Sequence, residues 1–91
     1  MAGTAQNVGG YKQISATGNV CPFGASLLGI FVSSATAGTI TIYDSATTTT
    51  TAKVIDTTAV VGGTWYPMPV GTTSGIYVVI GGVASITVVF A

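Results

Sequence analysis

Val, Ile and Thr crowd this 91-residue chain, and nowhere do its apolar residues recur at helical spacing. Two heavy atoms on Cβ stiffen a side chain in a helix but pack well on a pleated surface, so this composition favours strands. Runs bounded by Gly, Ser, Asn or Pro predict strands at residues 11–16, 27–34, 39–44, 53–57, 64–70, 76–80 and 85–90, the spacing of an all-β domain. Alternation is clearest in Thr39-Ile40-Thr41-Ile42-Tyr43, where Ile40 and Ile42 share one face. The last two runs are apolar on both faces, which predicts cover on both sides. Gly81-Gly82-Val83-Ala84 between them reads as a tight hairpin connection, because Gly supplies the positive φ that such turns need. Pro67 and Pro69 cannot donate ladder hydrogen bonds and place their run at a sheet edge. The expected fold is therefore a small β-sandwich or partly open barrel of about seven strands. Residues 11–91 form its single domain, and the small, polar residues 1–10 form an extended, flexible N-terminal arm.

A domain of this size has a marginal core, and nothing inside the chain reinforces it. One cysteine makes no intrachain disulfide, and without histidine there is little to hold a metal. Association with other chains is the remaining support. The 48% hydrophobic content and mean hydropathy of +0.73 agree, since so few polar groups leave apolar residues at the surface.

Charge narrows function further. Lys12, Lys53, Asp44 and Asp56 are the only charged side chains, and they cancel. Ordinary domains carry roughly 25% charged residues. General acid–base catalysis needs titratable groups within reach of one another, and this inventory argues against an enzyme. There is no basic patch for phosphates, which argues against nucleic-acid binding. The stretch 75–91 is uncharged but short, β-branched, broken by Gly81-Gly82 and unflanked by Lys or Arg, so no membrane span is expected. The N-terminus lacks the features of a secretory signal, and synthesis in a cytoplasm is expected.

Each remaining candidate has a plain structural reading. Asp44 and Asp56 sit beside hydroxyl residues at strand ends, where Asp anchors turns. Cys21 has no His, Lys or Arg next to it to activate a thiolate and reads as a small buried side chain. The five threonines 47–51 read as a long hairpin tip or loop. Neither a phosphate loop, a zinc spacing nor a nucleophile elbow occurs, and no catalytic, metal or cofactor residue is expected. Trp65, Tyr66 and Met68, with Tyr77, Val79, Val89 and Phe90, are the candidates for core or subunit packing, since aromatics dominate the centres of interfaces. Trp65 and Tyr66 exposed together in a groove would instead favour a sugar-binding platform, although amide groups to orient a sugar are scarce in this chain.

The run Leu27 to Ala91, through its phrases GTITIYDS, GTWYPMPV and SGIYVVIGG, resembles the small Thr/Gly/Val-rich structural proteins of tailed bacteriophages. It is most similar to capsid decoration (cement) proteins. The resemblance implies a β-rich homotrimer on the outside of the head that clamps neighbouring major capsid proteins. The expected location is then the virion, on the capsid surface. An arm containing Ala2, Gly3, Thr4, Ala5, Gln6 and Asn7 would reach a capsid subunit and add a strand to it by backbone pairing. The chain lacks the Pro-rich arm and charged surface of some decoration families. The alternative is a tail-fibre or receptor- and glycan-binding module of the virion.

Overall fold

A computed structural model describes residues 10–91. The fold is all-β, and its six strands form one antiparallel network: β1 (Gly10–Ile14), β2 (Gly18–Cys21), β3 (Ser26–Tyr43), β4 (Lys53–Ala59), β5 (Thr64–Gly71) and β6 (Ile76–Phe90). The arm expected at residues 1–10 lies outside the described residues except for Gly10, which begins β1 opposite Phe90.

Two long strands organise everything else. β3 and β6 pair along their whole lengths, from Leu27↔Phe90 to Tyr43↔Tyr77. On the far edge of β3, β5 covers the first half and β4 the second. On the far edge of β6, β1 covers the last half and β2 the first. The ribbon thus carries two four-stranded halves, ordered β1-β6-β3-β5 and β2-β6-β3-β4.

The halves meet at a corner. Thr36 pairs with Val83 but Thr39 with Gly81, so β3 holds one extra residue there, and such a bulge bends and twists a strand. Ala37 (φ 51°) and Gly82 (φ 67°) adopt left-handed backbone at this point. Flanking chain crosses between the halves at the same place: the Val60 amide bonds to Gly38 O at 3.0 Å and the Gly63 amide to Val32 O at 2.6 Å. On the other edge Thr17 Oγ1 accepts from the Ile80 amide at 2.9 Å.

Closure follows from burial. Ile30, Val32, Ile86 and Val88 of the first half and Ile40, Ile42, Ile76 and Val78 of the second are fully buried in one cluster. Among the described residues there is no helix or second sheet to cover them. Each half therefore covers the other, as in sandwiches whose corners are strands that bend from one sheet into the next.

Two sequence expectations need correction. Residues 81–84 do not turn a hairpin, because the chain continues as β6 across the corner while both its halves keep β3 as partner. Runs 27–34 and 39–44 likewise merge into one strand, so the seven runs give five strands, and β2 makes six among the described residues. A strand not foreseen, β2, forms from Gly-Asn-Val-Cys against the start of β6. Lys53–Ala59 and Thr64–Gly71 form as expected, the latter an edge strand bonded only to β3.

Candidate functional site

Alternation puts an apolar face on the outside of the first half. Phe31 lies between the fully buried Ile30 and Val32, so its ring points away from the core and is 41% exposed. The register then sets two rows across the strands. One runs Gln13, Thr87, Phe31, Trp65; the other runs Tyr11, Val89, Gly29, Pro67. Tyr11 and Trp65 are 73% and 47% exposed. The Trp65 ring lies over Gly29, where a Cβ would come within 2.5 Å of Cη2. An open hollow of about 320 Å³ sits at the β1 end, lined by Gln13, Ile14, Ser15 and Ser85.

The outside of the second half is different. Thr41, Tyr43, Tyr77 and Val79 share it by register, and Thr41 and Tyr77 are buried. Thr41 and Thr57 hydroxyls bond at 2.7 Å, and the Tyr43 and Tyr77 rings pack with centroids 6.1 Å apart. These contacts help bury the face, and among the described residues no large exposed aromatic stands on it.

Opposite the corner, three loops are tied to one another by hydrogen bonds. The Asp44 carboxylate accepts hydrogen bonds from the Thr73 (3.0 Å), Ser74 (2.7 Å) and Gly75 (3.2 Å) amides and from Thr73 Oγ1 (3.0 Å). These bonds, the Thr73 amide foremost and the Ser74 amide next, lower its pKa from 3.8 to about 2. Thr72 exchanges backbone and side-chain bonds with Ala25. Asn19 Nδ2 donates to the Ser45 and Thr47 carbonyls, and Ser45 Oγ accepts from the Thr47 and Thr49 amides. The threonine run is the tip of the β3–β4 hairpin, held at its base by the Asp44 amide bonded to Ala52 O. Phe23 stands out of this end, 63% exposed, between Pro22 and Gly24.

Asp44 thus anchors a loop through three backbone amides. Asp56 accepts from the Thr57 amide and pairs with Lys53 at 3.1 Å in the open. That hydrogen bond lowers the Asp56 pKa and raises that of Lys53. The two aspartates do not share a partner. Cys21 is buried, its thiol donating to Phe23 O. Among the described residues no three His, Cys, Asp or Glu side chains gather to hold a metal, and no helix is long and apolar enough to cross a membrane.

Comparison with protein-family models, curated proteins and solved structures finds no match for this chain. Its function must be argued from these surfaces.

The packing candidates separate by face. Tyr66, Met68 and Phe90 turn inward against the core, and Tyr66 Oη accepts from the Val61 amide at 2.9 Å. Tyr77 is buried, and Val79 and Val89 are half-buried on the two outer faces. Trp65 alone of the Trp65, Tyr66 and Met68 group faces outward, so Trp65 and Tyr66 do not form the exposed pair that the sugar-binding alternative expected, because successive strand residues point to opposite faces. Ala2, Gly3, Thr4, Ala5, Gln6 and Asn7 lie outside the described residues. Sequence reasoning did not single out Phe31, Tyr11 or Phe23. The signal for Phe31 was its place between Ile30 and Val32, where an alternation of buried and exposed positions is hidden because all three are apolar.

Proposed function

We propose that this protein is a structural part of a phage virion, a capsid decoration protein that sits on the head as a homotrimer and clamps neighbouring major capsid proteins. The observation that carries this reading is the loop end, where Phe23 is presented on a surface already fixed by Asp44, Ser45, Asn19 and Thr72. An aromatic anchor on a preformed surface loses little entropy on docking. The loops at this end carry hydroxyls and backbone, and the Asp44 carboxylate is solvated by three amides and a hydroxyl, so its charge has hydrogen-bond partners before any shell arrives. Contacts made only with the assembled shell stabilise that shell by linkage.

The test is cryo-electron microscopy of virions carrying the protein, with the molar mass of the purified chain and head occupancy by a Phe23→Ser variant. Trimer-sized density at threefold or quasi-threefold sites, reduced by the variant, supports the proposal. Density confined to the tail, or absence from virions, overturns it.

A second reading, a tail-fibre or glycan-binding module, draws support from the exposed Trp65 and Phe31 on the first half. Density on the tail would favour it.

A further inference from the structure

We infer that the outer face of the first half is a binding site for a neutral oligosaccharide, with Trp65 and Phe31 as its stacking platform. The inference deepens the second reading, the glycan-binding module, and rests on it; a place on the head would leave the sugar titration below to decide it separately.

The row Gln13, Thr87, Phe31, Trp65 changes character along its length. At the β5 end two aromatic rings are open to solvent. At the β1 end are an amide and hydroxyls: Gln13 and Thr87 in the row, with Ser15 and Ser85 beside Gln13 in the open hollow. A sugar ring has an apolar face of C–H groups and a rim of hydroxyls, and sites that bind such ligands combine aromatic surface with a few orienting polar groups. Four strands at the usual spacing span about 14 Å, which suits several linked sugars rather than one.

The seat of the platform is built into the backbone. Gly29 has no side chain beneath the Trp65 ring, and with one there Cζ2 and Cη2 would lie 2.6 and 2.5 Å from a new Cβ, well inside van der Waals contact. The ring therefore rests on the sheet while remaining 47% exposed. Neither row contains a charged residue. An acidic or basic glycan would find no counter-charge here, which sets the ligand class as neutral.

A second copy of the chain fits the face less well. With full aromatic side chains covering 150–250 Å², the exposed parts of Tyr11, Phe31 and Trp65 amount to about 300 Å², against about 800 Å² per partner in a standard interface. Toward β1 the row that holds the two stacking rings turns polar, at Thr87 and Gln13.

Trp65 is the only tryptophan, so its fluorescence reports on this site alone. The experiment titrates the full chain with cellohexaose, maltohexaose and chitohexaose, with a heparin hexasaccharide as the anionic comparison. A saturable fluorescence change with at least one neutral hexasaccharide, with Kd in the millimolar range or tighter, is expected. In calorimetry Trp65→Leu should abolish that binding and Gln13→Ala weaken it several-fold, both with unchanged circular dichroism. Phe23→Ser, at the opposite end of the sandwich from the corner, should bind sugar as the parent does even where it has lost the capsid. Absence of response to all three neutral sugars overturns the inference, as does tighter binding of the heparin fragment. A fluorescence shift driven by protein concentration alone, with a matching rise in mass, also overturns it by showing that a second copy covers the face.

Discussion

The ring of Trp65 occupies the space that a side chain on Gly29 would need, with Cη2 2.5 Å from the position of a Cβ there. The Tyr66 carbonyl is nearly as close, at 2.7 Å. Both obstacles cannot yield cheaply, because one is backbone of the neighbouring strand. Gly29→Ala should destabilise the fold by about 1–3 kcal/mol, the usual cost of forcing a methyl into filled space. It should also lift the indole off the sheet. Denaturant unfolding measures the first effect, and a red shift in native-state fluorescence the second. An unchanged spectrum would show that Trp65 does not rest on Gly29.

Stability should depend on acid through Asp44. Its pKa falls from 3.8 to about 2 on folding, so the folded state favours the ionised form. That stabilisation is fully present above the unfolded value and is lost as pH falls through the folded one. Thermal unfolding should thus show a midpoint that is steady down to about pH 4 and declines between there and pH 2. Asp56 is shifted in the same direction by Lys53, but that pair is exposed and screened. In Asp44→Asn the neutral midpoint should be lower and the acid decline shallower. A variant with the parent's acid profile would remove Asp44 as its source.

Much of this fold is legible in the sequence, and what is not has physical causes. Thr39 to Tyr43 alternates polar and apolar, and Ile40 and Ile42 are fully buried as read, while Thr41 on the other face is buried too, its hydroxyl bonded to Thr57. Pro67 and Pro69 marked β5 as an edge strand because a missing N–H is a local property. The glycines at 81 and 82 were misread, since a glycine pair permits a hairpin and a strand bend equally. Only the continued pairing of β6 with β3 decides between them. β2 has no pattern of its own and exists because the start of β6 offers it an edge. At the aromatic face, Trp65 could be named but not oriented. Its inward neighbours Tyr66 and Met68 look no more apolar than it does, and strand register settles which side each takes.

Opposite faces of β3 should respond differently to the same truncation. Ile30 is fully buried in the cluster that joins the two halves, so Ile30→Ala removes buried area and leaves a cavity, at a cost of about 2–5 kcal/mol. That approaches the whole stability of a small domain, about 5 kcal/mol at the low end. Phe31→Ala, one residue along, removes a larger ring that is 41% exposed and should cost a fraction as much. Equilibrium urea unfolding of both variants compares them directly. Equal losses would mean that the first half's outer face is itself covered in solution.

The corner contains an avoidable strain. Ala37 has a φ of 51°, a left-handed conformation in which its Cβ is crowded by its own backbone. For an L-residue this costs roughly 1–2 kcal/mol, and glycine escapes it at an entropic cost of about 0.5–1 kcal/mol. The strain outweighs the entropy, so Ala37→Gly should stabilise the protein by up to about 1 kcal/mol. Gly82 presents the opposite case. Its φ is 67°, and an added Cβ would collide with the Ala37 carbonyl across the bend. Gly82→Ala should therefore destabilise the fold, with strain and collision acting together at the point where β6 passes from one half to the other. Thermal melts of the two variants against the parent test the sign of both effects. A higher midpoint for Gly82→Ala would mean that the ribbon does not bend there, and the closure of the two halves over a shared core would have to be rebuilt.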